Sequence, residues 1–251
     1  MILDLQKASM WKRISAALFD IILLSIVVVG SAFLLSLALN YQGNYEEFDA
    51  IRKTYADANG VDLSKAYSSL TEEELVKYSA FEEALSSDAT AIKIYSLLIN
   101  YTFIIVSFSI LIGYLLMELL IPLLFKNGQT LGKKIFGIAV MREDGVRISS
   151  TLLFVRTVLG KYTLETMIPV LIFLMMLFYA MNSIIGLGVV AAILIAQAVL
   201  LIATKTRSLL HDKLSHTVTV DFSSQLIFDT PEELLAYKQK IHAEQVEAER
   251  E

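Results

Sequence analysis

Cysteine is absent from the 251 residues, so no disulfide and no thiolate metal site can brace the chain, and the sequence carries no mark of its redox compartment. Charge is scarce: 19% of residues are Asp, Glu, Lys or Arg, the net charge is −5, and without a basic excess nucleic-acid binding is set aside. Also missing are a recognisable Ser, His and Asp set, a zinc-protease helix motif, and the Gly-Asp contexts expected for intramembrane aspartyl proteolysis. An enzyme is therefore the least expected class, and no cofactor or metal is called for. What the chain does have is apolar surface, with 55% hydrophobic residues and a mean hydropathy of +0.60. That is the composition of a membrane protein.

Residues 14–39 contain a single formal charge, Asp20, in a 26-residue run, and about 20 mostly apolar residues suffice to cross the hydrocarbon core as a helix. This run is too long for the core of a cleaved signal peptide and is kept as an anchor. Further spans are expected within residues 94–125, at 166–181 and at Ile184–Ala203, the last two joined by little more than Asn182 and Ser183. Lys and Arg cluster at alternate ends of these spans (Lys7, Lys12 and Arg13; Lys126, Lys133, Lys134, Arg142, Arg147, Arg156 and Lys161; Lys205, Arg207 and Lys213). With four spans all of them fall on one side, so both termini are expected in the cytoplasm.

Between the first two spans, residues 41–93 hold 11 acidic against 5 basic residues. Phe48, Ile51 and Tyr55 recur at helical spacing, and Thr71 with Glu74 forms a capping box ahead of Leu75, Tyr78, Phe81 and Leu85. A small extracytoplasmic helical cap is expected, its acidity either a solvated face or an attraction for cations and basic peptides. After the last span, Thr230, Pro231 and Glu233 open a helix of about residues 231–248 whose Leu234, Tyr237 and Ile241 share one face, for docking onto the bundle or onto a partner.

The loop at 127–140 reads Asn-Gly-Gln-Thr-Leu-Gly-Lys-Lys-Ile-Phe-Gly-Ile-Ala-Val. It is not a phosphate loop, because its glycine spacing is one short and Lys133 is followed by another lysine. Residues 138–141 and 146–149 around Asp144-Gly145 read as a β-hairpin at the cytoplasmic surface. Residues 150–162 then read as an amphipathic interfacial helix with Arg156 and Lys161 reaching toward headgroups.

These residues carry a resemblance. Arg13 and Asp20 in the first helix, Gly-Gln-Thr-Leu-Gly-Lys-Lys-Ile-Phe-Gly-Ile at 128–138, and Leu-His-Asp-Lys-Leu-Ser-His-Thr-Val-Thr-Val at 210–220 resemble, in order, the motifs of the RDD family of bacterial membrane proteins, named for one arginine and two aspartates. Asp212 matches the second aspartate, and Arg156 matches an arginine common before the third span. The resemblance covers about residues 10–39 and 94–221; the cap and the tail lie outside it. It implies a multi-pass protein of the bacterial inner membrane, and either the cation and proton exchange attributed to some members or an accessory role in membrane complexes.

The expected fold is thus an all-α polytopic membrane protein: four transmembrane helices, a small extracytoplasmic helical insertion, and a cytoplasmic interfacial β-hairpin and amphipathic helix. Its regions are 1–39 (N-terminus and first span), 40–93 (insertion), 94–222 (remaining membrane core, with the cytoplasmic loop 126–163) and 223–251 (charged tail). Residues 131–140 also align with 210–219, each just after a span, and Arg156 parallels Arg13, which suggests two tandem halves of like orientation.

Three spans place their strongly polar residue at a similar depth: Asp20 seven residues from Arg13, Glu118 eight from Lys126, and Gln197 eight from Lys205, with Glu165 shallower on the third. Two carboxylates in a low-dielectric layer share a proton or a cation, or each finds its own partner. Asp20, Glu118 and Gln197 are therefore the candidate ion-binding or proton-relay residues, and Arg13, Arg156 and Asp212 a candidate structural or gating charge network. In the other reading Asp20 pairs with Arg13 or Arg156, and Glu118 with an interfacial lysine. His211 and His216, five residues apart, do not share a helical face and are expected as surface histidines rather than metal ligands. Two functions stand open: a proton- or cation-coupled transporter, a homo-oligomer because four spans are few to enclose a path, or a non-catalytic accessory subunit binding a protein partner through 41–93 or 231–248.

Overall fold

The computed structural model describes residues 5–179 and 184–248. In chain order the elements are α1 (Met10–Ala38), α2 (Tyr41–Asn59), α3 (Glu72–Ser87), α4 (Ala89–Phe125), α5 (Leu131–Ile135), β1 (Ile138–Arg142), α6 (Ser150–Tyr179), α7 (Ile184–Ala203), α8 (Leu210–Leu214), β2 (Thr217–Asp221) and α9 (Pro231–Ala248). Among the described residues, α1, α4, α6 and α7 are the four helices long and apolar enough to cross a membrane. Their outward residues are large and apolar, Ile22, Ile26, Val29, Phe173, Leu194 and Ile202 among them, all well exposed in the isolated chain. In water this surface would be untenable; in lipid it is the matching solvent. The chain is an integral membrane protein.

The chain forms two compact units, Gly30–Ser109 and the remainder. In the first, α2 ends at Gly60, whose left-handed φ of 65° lets the turn satisfy the last carbonyls of the helix. The expected capping box forms at α3: the Glu74 N–H donates to Thr71 Oγ1 and the Thr71 N–H to Glu74 Oε2 at 2.9 Å. Asp88 opens α4 by accepting from the N–H groups of Thr90 and Ala91, while its other oxygen accepts from Tyr55 of α2 at 2.8 Å. Phe81 is buried, and Phe48 stacks on Tyr95 at 5.4 Å between centroids.

In the second unit the two strands pair antiparallel, Ile138 opposite Asp221 and Arg142 opposite Thr217. This corrects the expected hairpin partner. The tight turn after β1 forms, with Arg142 N–H donating to the Val146 carbonyl and a bridge between Met141 and Arg147, but the full ladder goes to Thr217–Asp221. The reason is burial: Ala139 and Met141 pack with Val218 and Val220 on one face, while Val140 packs with Ile148 and Leu153 on the other. Pairing with 146–149 alone would not bring Val218 and Val220 onto Ala139 and Met141.

The amphipathic helix expected at 150–162 is likewise corrected. It is the start of α6 itself, and Val155–Met167 wind as a π-helix, which turns Arg156, Thr157 and Gly160 into the protein rather than toward headgroups. The expected end of the third span at 181 and the turn at residues 182 and 183 lie outside the described residues. A second π segment, Leu115–Leu120 in α4, precedes Pro122. Proline has no N–H for the Glu118 carbonyl four residues back; that carbonyl accepts from Thr157 Oγ1 at 3.0 Å and ties α4 to α6.

The tail helix α9 starts where the sequence places it, with the Glu233 N–H donating to Thr230 Oγ1 at 3.2 Å. Leu234 is buried with Val146 and Phe228, and Tyr237 packs on Phe228, so the first turns dock on the chain itself.

The repeat of the two post-span segments is visible in the backbone. Helices α5 and α8, and strands β1 and β2, recur at one constant offset, Leu131 matching Leu210 and Ile138 matching Thr217. Val140 and Thr219 occupy the same place in the two copies and face each other at the centre of the ladder, so the pairing is symmetric about them, a local two-fold. Gly137 and His216, also equivalent, both take left-handed φ of 64° and 51°.

Candidate functional site

Each short helix is held by a carboxylate from a span. In the first copy the Gly132 N–H, in the first turn of α5, donates to Asp20 Oδ1 at 2.8 Å, and Thr130 donates its hydroxyl to Asp20 Oδ2. Contact this close requires glycine, because a methyl group at 132 would lie 2.9 Å from the Asp20 carboxyl carbon and closer still to the Ala16 carbonyl. In the second copy the His211 N–H, at the same position of α8, donates to Glu165 Oε1 at 2.9 Å, and the His211 ring Nδ1 meets Glu165 Oε2 at 2.8 Å. Here the glycine is on the span: a methyl at Gly160 would lie 2.6 Å from His211 Cβ. Asp20 and Glu165 thus satisfy N–H groups that a helix start leaves without partners.

Beneath these caps lies a cavity of about 350 Å³, lined by Arg13, Lys133, Arg156 and Lys161, by Asp20, Glu118, Glu165 and Asp212, and by His211, with Ile138 and Thr219 of the strands beside them. Its cations and carboxylates balance four against four. Asp212 is 1% exposed and accepts from Arg156 Nη2 at 2.5 Å and from the Leu209 N–H at 3.1 Å, with Arg13 at 3.8 Å. Burial works against ionisation of Asp212, and Arg156 and His211 outweigh it, holding the carboxyl below the ordinary aspartate range. Burial pushes the His211 ring down, against the pull of Asp212, so it is neutral at neutral pH.

Glu118 has two lysines. Lys161 Nζ lies 2.7 Å from Oε2 and Lys133 Nζ 3.9 Å from the same oxygen. The Lys133 amine is buried and makes no hydrogen bond. Burial first, and then the neighbouring Lys161, push it down to about 7, against Glu118.

Of the residues expected from sequence, Arg13, Asp20, Glu118, Arg156 and Asp212 come together around one cavity. Gln197 is not in its lining; it accepts the Leu210 N–H at 3.2 Å and supports α8 from α7. Asp20 pairs with neither Arg13 nor Arg156 but with the Thr130 hydroxyl and a backbone N–H, and Glu118 does pair with a lysine, Lys161. His211 is a correction: it is 5% exposed rather than at the surface, because its ring closes against Glu165, whereas His216 is exposed. Lys133 and Lys161, read as loop and headgroup lysines, are both cavity residues. The repeat holds the clue for Lys133, since the offset that matches Leu131 to Leu210 also matches Lys133 to Asp212.

The RDD family model matches residues 7–216. This chain belongs to the RDD family. No curated protein and no solved structure matches it. The RDD match spans α1 through α8 and ends just before β2, so it takes in every charged residue of the cavity. It leaves the tail helix outside.

Proposed function

We propose that this RDD protein is a non-catalytic, proton-coupled membrane transporter whose site is the charge-lined cavity. The observation that carries the reading is the buried lysine without a hydrogen bond beside two like-charged neighbours and a shared carboxylate. Ionisable groups inside membrane proteins are costly and mark ion or proton paths. Protons are favoured over metal cations because the carboxylate oxygens are already engaged: Asp20 by Thr130 and Gly132, Asp212 by Arg156 and Leu209, Glu165 by His211. Four spans are few to enclose a path, so the transporting form is a homo-oligomer. It sits in the bacterial inner membrane, with the lysine- and arginine-rich ends of the spans and both termini in the cytoplasm.

The test is ion flux in liposomes containing the purified chain, under imposed proton, sodium and potassium gradients, with Asp20→Asn and Glu118→Gln beside the wild type. The reading expects the wild type to dissipate the proton gradient, and the folded amide variants to do so at least several-fold more slowly. It is overturned if the wild type moves no protons. A second reading, an accessory subunit, is favoured by α9, in which Leu234 is the one buried residue and the rest of the helix presents a mostly exposed surface for a protein partner.

A further inference from the structure

The cavity contains four carboxylates and four fixed or titratable cations, and what separates them is how well each is satisfied. Asp20 accepts two hydrogen bonds, Glu165 accepts from the His211 backbone and faces its ring, Asp212 accepts from Arg156 and a backbone N–H, and Glu118 pairs with Lys161. Protonating any of them weakens at least one of these contacts. The Lys133 amine has no hydrogen bond to lose.

We propose that Lys133, rather than any carboxylate, is the group that takes up and releases the proton in this cavity. The geometry provides for both states. When Lys133 is an ammonium, it shares Glu118 with Lys161, at 3.9 and 2.7 Å. When it gives its proton to water in the cavity, Glu118 keeps Lys161 as its counter-ion, and the neutral amine remains beside a single ion pair instead of two cations on one carboxylate. The groups facing it come from every neighbouring element: Arg13 and Asp20 on α1, Tyr114 and Glu118 on α4, Arg156, Lys161 and Glu165 on α6, and His211 and Asp212 on α8. Of these, Lys161 and Arg156 favour the neutral amine, while Glu118 and Asp20 favour the ammonium. The cavity is large enough for several water molecules to accept and return the proton.

The comparison with the other half supports the same assignment. Asp212 stands at the helix position of α8 that Lys133 holds in α5, and it is fully hydrogen-bonded. The fold can satisfy a charge at this position, and in the first copy it does not. The proposal deepens the transport reading and rests on it only for the role of the proton; protonation itself is measured separately.

The experiment is a titration of the full chain, labelled with ¹³C-lysine, in phosphatidylcholine nanodiscs, following the Cε resonances from mildly acidic to strongly alkaline pH. One resonance is expected to titrate in the neutral range, to be absent from Lys133→Met and Lys133→Arg, and to move to higher pH in Lys161→Met, where the like charge is gone. The proposal is overturned if no lysine titrates in that range, or if the neutral titration persists in both Lys133 variants. Lys133→Arg carries a fixed charge, so in liposomes it is expected to abolish proton flux. A lysine that titrates as described in a protein that carries no protons upholds the proton site and ends the transport reading. Flux with no titrating lysine does the reverse.

Discussion

The segments α5–β1 and α8–β2 have the same backbone and different chemistry. Both begin with a first-turn N–H donated to a span carboxylate, both pass through a left-handed residue, and both end in the shared ladder. At one matched position, however, stands Asp212 with Arg156 against it, and at the other stands Lys133, whose amine has no hydrogen bond. A buried charge with every partner in place specifies structure, whereas one without them is retained at a cost to stability. The difference separates a buried charge that is fully paired from one whose amine has no hydrogen bond.

The comparison breaks most severely at the brace. Arg156→Ala leaves Asp212 charged, buried and without its main partner, and is expected to cost about 3–5 kcal/mol. The variant should be recovered poorly, or melt well below wild type in size-exclusion thermal scans, with Arg156→Met/Asp212→Leu recovering much of the loss. A smaller effect is expected at the first cap: Asp20→Ala strands the Gly132 N–H and the Thr130 hydroxyl, at about 1–3 kcal/mol. Asp20→Asn keeps an acceptor for Gly132 and should lose less.

pH sharpens the contrast by its sign. Lys133 is pushed down to about 7 from an ordinary 10.5, so between those values the unfolded chain binds the proton that the folded chain has lost. Its contribution therefore makes stability rise with pH over that window, and Lys133→Met should flatten the rise. Asp212 is held below the ordinary carboxylate range, so its contribution is present at neutral pH and is lost as acid protonates it. The smallest expected effect is at the left-handed position. Gly137→Ala adds a Cβ where φ is 64° and should cost about 1 kcal/mol, although no atom stands in the way.

Much of the frame is legible in the sequence because its signals are local. The first and last spans, the Thr71–Glu74 box, the Thr230 cap and the post-span repeat follow from runs and spacings within one segment. What is not legible depends on residues distant in sequence. The partner of β1 lies beyond two further spans and is chosen by burial on two faces, which the nearby Asp144-Gly145 turn conceals. The start of α6 is hidden by its polarity: Arg156, Thr157 and Lys161 look interfacial until the π-helical turn brings them onto Asp212 and Glu118. The arginine and the two aspartates are found by motif, but the role of Asp20 as a cap on α5 depends on the absence of a side chain at Gly132. Lys133 escapes notice because a lysine in a loop is ordinary; it stands out only once its amine is seen buried and without a hydrogen bond.

The most direct test of the account is to measure thermal stability and proton flux on one preparation of Lys133→Met. Lys133→Met is expected to be at least as stable as wild type at neutral pH, because a poorly satisfied buried cation has been replaced by an apolar side chain of similar length, and no longer to move protons across liposomes. A folded Lys133→Met variant with wild-type proton flux would contradict the account.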